Sequence, residues 1–146
     1  MADRPTTLRR RLGDALFVAR AIAFATVVPL LMRLKLARLE ALVESRASRA
    51  APSEATVREV VRNVDRALYF GRPFVRSNCV TRSVTRYYFL RHAGVDVTLC
   101  FGMGSPVGEL EGHCWLLRDG EPYLEHPDPR PIFRETYRIP RPRAAS

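Results

Sequence analysis

The stretch "RSNCVTRSVTRYYFLRHAG", residues 76–94, sets Cys79 where an amphipathic helix begins, behind Ser77 and Asn78, either of which can cap it. A cysteine in the first turn of a helix meets the partial positive charge of free backbone N–H groups, which favours thiolate over thiol. The same N–H groups can donate to an oxyanion forming on a carbonyl under attack. A sulfur nucleophile needs a base, and the chain has three histidines. His92 lies thirteen residues along the same helix, about 20 Å away at a rise of 1.5 Å per residue, and is excluded. His126 follows a predicted strand and points to the other face. His113 opens a predicted strand that packing on the helix brings to the helix start, so His113 is the candidate base.

An acid must then orient the imidazole. Asp119 stands six residues from His113, about 20 Å in extended chain, and is too far. Glu125 depends on hairpin register. If the loop is Asp119-Gly120 as a type I′ turn, Glu125 pairs with Cys114 and faces away from His113. If the loop is Arg118-Asp119-Gly120 with a bulge, His113 and Glu125 sit directly opposite, on one face. Both turns suit the sequence. The second completes a set of Cys79, His113 and Glu125, and the first is expected to destroy it.

Cys100 and Cys114 read as core residues. Three cysteines with no CxxC pair favour a reducing compartment and argue against a disulfide framework or structural zinc. No metal or cofactor is expected, and no Gly-x-x-x-x-Gly-Lys-Ser/Thr run is present to bind nucleotide.

The elements that must position these residues follow from spacing. "SRASRAAPSEA", residues 45–55, reads as a linker between an N-terminal helical segment, 1–50, and a domain over 51–146. Thr56 to Glu59 fits a capping box for a helix near 57–69, with Val57, Val60, Val64 and Leu68 at helical spacing. Gly71 and Pro73 break it, the Cys79 helix follows, and Gly94 suits its C-terminal end. "DVTLCFGMG" (96–104) reads as a strand, and "HCWLLRDGEPYLE" (113–125) as two more, the second at an edge because of Pro122. The proline-rich tail from His126 on is expected to be coil. Helices followed by an antiparallel sheet make the class α+β.

The front of the chain is apolar and basic. Residues 1–50 hold 10 Arg/Lys against 4 Asp/Glu, whereas 51–146 hold 14 against 11. "ALFVARAIAFATVVPLLM" (15–32) is interrupted by Arg20, which opposes a spanning helix, and by Pro29, expected to kink or divide it. Met32, Leu36, Leu39 and Val43 continue a helical face. These segments read as core or partner-facing helices, and residues 15–36 are candidates for lying on a membrane surface; a true span or a signal segment is the remaining reading. The net charge of +9 alone does not indicate nucleic-acid binding, since no aromatic-basic motif accompanies it.

The run "NCVTRSVTRYYFLRHAGVDVTLCFGMG…GELEGHCWLLRDGEPYLE" resembles the transglutaminase-like cysteine peptidases of lasso-peptide biosynthesis, the leader-removing B proteins related to the microcin-processing enzyme. The resemblance rests on Cys79, Val80, Arg82, Ser83, Gly94, Gly102, His113, Trp115, Asp119, Gly120 and Glu125, over about residues 73–128. Two positions depart: the usual third member is Asp where this chain has Glu125, and the usual Ala after the histidine is Cys114. The resemblance implies a transglutaminase- or papain-like core, with the cysteine at a helix start packed on a small antiparallel sheet, behind hydrophobic, basic N-terminal helices. It implies a cysteine peptidase of the bacterial cytoplasm that removes a leader from a ribosomally made precursor, with Cys79 as nucleophile, His113 as base and Glu125 as its orienter. Implied partners are the precursor peptide, a small leader-recognition protein and an ATP-dependent macrocyclase. The same three residues would also serve acyl transfer to an amine, and a non-catalytic precursor-binding scaffold is the rival of another class.

Overall fold

The computed structural model describes residues 4–43, 50–76 and 78–140, with the side chains of residues 4–7 and of Leu36 outside that description. The elements run α1 (Arg4–Leu31), α2 (Leu36–Val43), α3 (Glu54–Phe70), α4 (Cys79–His92), β1 (Thr98–Gly104), β2 (Glu111–Arg118), β3 (Glu121–Tyr123) and β4 (Phe133–Ile139). Helices precede an antiparallel sheet, the expected α+β arrangement. Of the expected linker, residues 44–49 lie outside the described residues.

α3 buries Val57, Val60, Val64 and Ala67 along one face, as the spacing requires. It starts earlier than its sequence suggests. Ser53, not Thr56, is the N-cap, its Oγ accepting from the N–H of Thr56 at 3.2 Å. Glu54 therefore falls in the first turn, where its charge meets the positive end of the helix. α4 is capped by Asn78, whose Oδ1 accepts from the N–H of Thr81 at 2.8 Å; the alternative cap, Ser77, lies outside the described residues. At the other end Gly94 takes φ 88°. The N–H of Val95 then reaches the carbonyl of Leu90 at 2.9 Å, satisfying one of the free carbonyls of the last turn.

The sheet order is β3-β2-β1-β4, all antiparallel, with Pro122 on edge strand β3 as expected. The tail is not all coil. β4 pairs with β1 and forms the other edge. Its sequence FRETYRI lies between Pro131 and Pro140, so the prolines bound the strand instead of interrupting it.

The helices cover one face of the sheet. Leu99, Cys114, Leu116 and Ile139 join Val84, Tyr87 and Leu90 of α4 in the main core. On the opposite face Cys100, Trp115 and Leu117 form a smaller cluster against Phe133. α1 and α2 belong to the main core through Ala21, Val28, Leu39 and Val43. Phe24 stacks on Tyr88 of α4 with ring centroids 4.1 Å apart, and Phe17 meets Phe89 at 4.9 Å. Pro29 does not divide α1. It sits in the final turn, where the one backbone bond it removes is lost close to where the helix ends anyway. From Leu8 to Leu31 this helix is long and apolar enough to cross a membrane, with mean hydropathy 1.8.

Candidate active site

Cys79 is the first helical residue of α4 and is half-buried. Its N–H and that of Val80 precede any acceptor within the helix, so both belong to the free positive end. One turn later the helix is fastened to the sheet, where the buried Ser83 Oγ donates to the carbonyl of Cys114 at 2.9 Å. That bond sets the first turn of α4 over the stretch of β2 that carries His113. The neighbourhood also registers on Cys114, whose thiol is pushed well above its ordinary range by burial first and by Cys79 second.

His113 Nε2 and Glu125 Oε1 are 3.1 Å apart, with the two side chains 18% and 11% exposed. The register that brings them together is the one expected to separate them. Asp119 and Gly120 form a two-residue turn with φ 54° and 80°, and the pairs run Arg118 with Glu121, Leu117 with Pro122, and Leu116 with Tyr123. Continued, that register would pair Glu125 with Cys114 and turn it away. It is not continued. β3 stops at Tyr123, and Leu124 takes φ 58°. A left-handed residue breaks the alternation of the strand, and the next side chain swings to His113. The three-residue loop does not form, and the contact between His113 and Glu125 arises from a backbone corner at Leu124 instead.

The ring of His113 is held from other directions too. Phe133 of β4 stacks on it at 4.7 Å and Trp115 lies nearly parallel at 6.0 Å. Gly102, paired with His113 across β1 and β2, leaves room for that indole, since a Cβ there would come within 2.7 Å of the Trp115 ring. Two arginines of α4 grip the corner. Arg82 Nη2 lies 3.4 Å from the same Oε1 of Glu125, and Arg86 Nη1 donates to the carbonyl of Leu124 at 3.2 Å. Arg86 is itself held by Asp65 of α3, its Nε donating to Oδ1 at 2.9 Å.

Residues 18–138 match the family described as the Transglutaminase-like superfamily. The chain belongs to that superfamily. No curated protein and no solved structure matches it.

A transglutaminase-like fold is one of the cysteine peptidase and acyltransferase type. With Nε2 committed to the carboxylate of Glu125, the neutral imidazole carries its proton there and keeps its lone pair on Nδ1. Among the described residues no hydrogen bond joins the Cys79 sulfur to this ring. The other two thiols of this transglutaminase-like chain are suppressed. Cys100 is pushed up to about 12, chiefly by burial and then by the Glu135 charge, and Cys114 rises likewise. His92 is out of reach, its Nδ1 resting 2.8 Å from the carbonyl of Tyr88, and His126 is exposed. Phe133, Arg86 and Leu124 were not foreseen as parts of the site. Arg82 was legible only as part of the resemblance, without a role. Beside this corner, Asp65, Leu68, Tyr69, Arg72, Arg82 and Arg86 line an open groove of about 240 Å³.

Proposed function

We propose that this chain is a cysteine peptidase that removes the leader from a ribosomally made precursor peptide, as in lasso-peptide biosynthesis. The reading rests on membership of the transglutaminase-like superfamily and on the motif resemblance over residues 73–128. The observation that carries it is the His113–Glu125 contact of 3.1 Å beside a helix that begins at Cys79.

In this mechanism Sγ of Cys79 attacks the carbonyl of the peptide bond after the leader, and the thiol proton passes to Nδ1 of His113. The sulfur closes on the imidazole when the peptide is in place, since such contacts tighten in the substrate complex. The N–H groups of Cys79 and Val80 stabilise the oxyanion. His113 then returns the proton to the leaving amine as the C–N bond breaks, leaving a thioester on Cys79. Water attacks that thioester, His113 takes its proton, and the thiolate departs. Glu125 keeps the imidazole in the tautomer this sequence of transfers requires. A leader-recognition protein and an ATP-dependent macrocyclase are the partners this role implies, the first delivering the precursor and the second consuming the freed peptide.

Mass spectrometry of precursor incubated with the protein, and with its recognition partner, tests the reading. The expected products are leader and core, with one water added across the cut bond, and none from Cys79→Ala at unchanged melting temperature. Core joined to an added amine would instead assign acyl transfer to the same residues. Equal processing by Cys79→Ala would remove the proposal.

A further inference from the structure

The side of α1 turned away from α3 and α4 has nothing over it among the described residues. Leu8, Leu12, Leu16, Val27 and Leu30 are 44% to 71% exposed, and Ala23 is exposed between them. Leu12 and Ala23, and Leu16 and Val27, are eleven residues apart. That spacing, three turns at about 3.67 residues each, draws a straight stripe along one side of a helix. From Leu8 to Leu30 the stripe is about 33 Å long at 1.5 Å per residue. Soluble domains rarely leave a continuous apolar face of this length open to water.

Its charge is one-sided. At about 100° per residue, Arg9 and Arg20 fall along one margin of the stripe and Arg11 along the other; all three are exposed. Arg33, Lys35 and Arg38 follow just past its end, and they too are exposed. The acids of these two helices turn inward. Asp14 accepts from Asn63 of α3 at 3.4 Å, and Glu40 accepts from the Tyr137 hydroxyl at 3.0 Å. The outward face therefore offers apolar and cationic groups without a carboxylate from α1 or α2. Leu42, 57% exposed, widens the patch across a shallow groove it shares with Val27 and Leu31.

We infer that this face of α1 lies on an anionic lipid surface, with the helix axis in the plane of the membrane. A spanning arrangement would strip Phe17 and Phe24 from Phe89 and Tyr88, and it would draw Arg20 into the hydrocarbon. A second copy of the chain is opposed by the same charges. Two such faces packed antiparallel would set Arg9 and Arg11 against Arg33 and Lys35, and packed parallel they would set each arginine against itself. An anionic bilayer instead complements the arginines while the leucines enter the headgroup boundary. The inference does not depend on the proposed peptidase activity.

Co-sedimentation of the full chain tests it, using phosphatidylcholine vesicles with and without about 30 mol% phosphatidylglycerol. The expected result is pelleting with the anionic vesicles at least about tenfold stronger than with neutral ones, and release at about 0.5 M salt. Leu16→Glu/Val27→Glu should weaken partitioning roughly tenfold or more at unchanged melting temperature. Arg9→Gln/Arg11→Gln/Arg20→Gln, which replaces three exposed side chains, should do the same. Failure to pellet with anionic vesicles at low salt overturns the inference, and so does undiminished binding by both variants. A fraction that resists alkaline carbonate, marking a span, also overturns it, as does a soluble dimer that Leu16→Glu/Val27→Glu dissociates.

Discussion

Leu124 at φ 58° is an expensive conformation for a residue with a branched side chain, of order 1–3 kcal/mol. What it yields is the placement of Glu125 on His113 at 3.1 Å. Replacing the carboxylate by the isosteric amide in Glu125→Gln keeps the shape but weakens the hold on the imidazole and its tautomer. We expect processing to fall on the order of a hundredfold or more in kcat with little change in melting temperature. Glu125→Asp, one methylene shorter, should retain an intermediate rate, because this corner is set for the longer acid. At Gly102 the constraint is steric. A methyl group there would press on Trp115 and on the carbonyl oxygen of Arg134, at 2.7 and 2.8 Å. Gly102→Ala should therefore destabilise the fold by about 1–3 kcal/mol in a urea titration.

Among the elements, the junction of α4 with the hairpin matters most. Ser83 fixes the helix to β2, and Arg86 ties it to the carbonyl of Leu124 while resting on Asp65 of α3. Arg86→Ala releases the corner without touching Cys79, His113 or Glu125. Its kcat should fall by roughly tenfold or more, with KM changing less, alongside a stability loss of about 1–3 kcal/mol. The helices, the strands of β1 to β3 and the edge position of Pro122 were legible because apolar period and turn chemistry agree there. β4 was not, since the prolines around FRETYRI mask a strand that they merely bound; Phe133 was missed with it. The hairpin shows a different limit. Asp119-Gly120 states the turn correctly, but nothing in Tyr123-Leu124-Glu125 announces a left-handed leucine, whose carbonyl accepts from Arg86 and whose side chain packs against the main core, contacts made far away in the chain.

At the scale of the molecule, two buried thiols couple the fold to pH. Cys100, raised to about 12 from 9.0, keeps its proton in the folded state over the interval where the unfolded chain gives it up, and Cys114 acts in the same direction. Stability is thus undiminished by these groups below pH 9 and falls as pH climbs through 9 toward 12. Cys100→Ala/Cys114→Ala should flatten that loss when urea midpoints at about pH 8 and about pH 10.5 are compared. The same suppression leaves Cys79, half-buried at the head of α4, as the thiol open to reaction. Intact-protein mass spectrometry during iodoacetamide treatment, read against precursor processing in the same samples, is the most direct test of the site. A single carbamidomethyl group on Cys79, appearing in step with the loss of processing and slowed by His113→Ala, is the predicted result. Processing that continues undiminished on protein fully modified at Cys79 would contradict it.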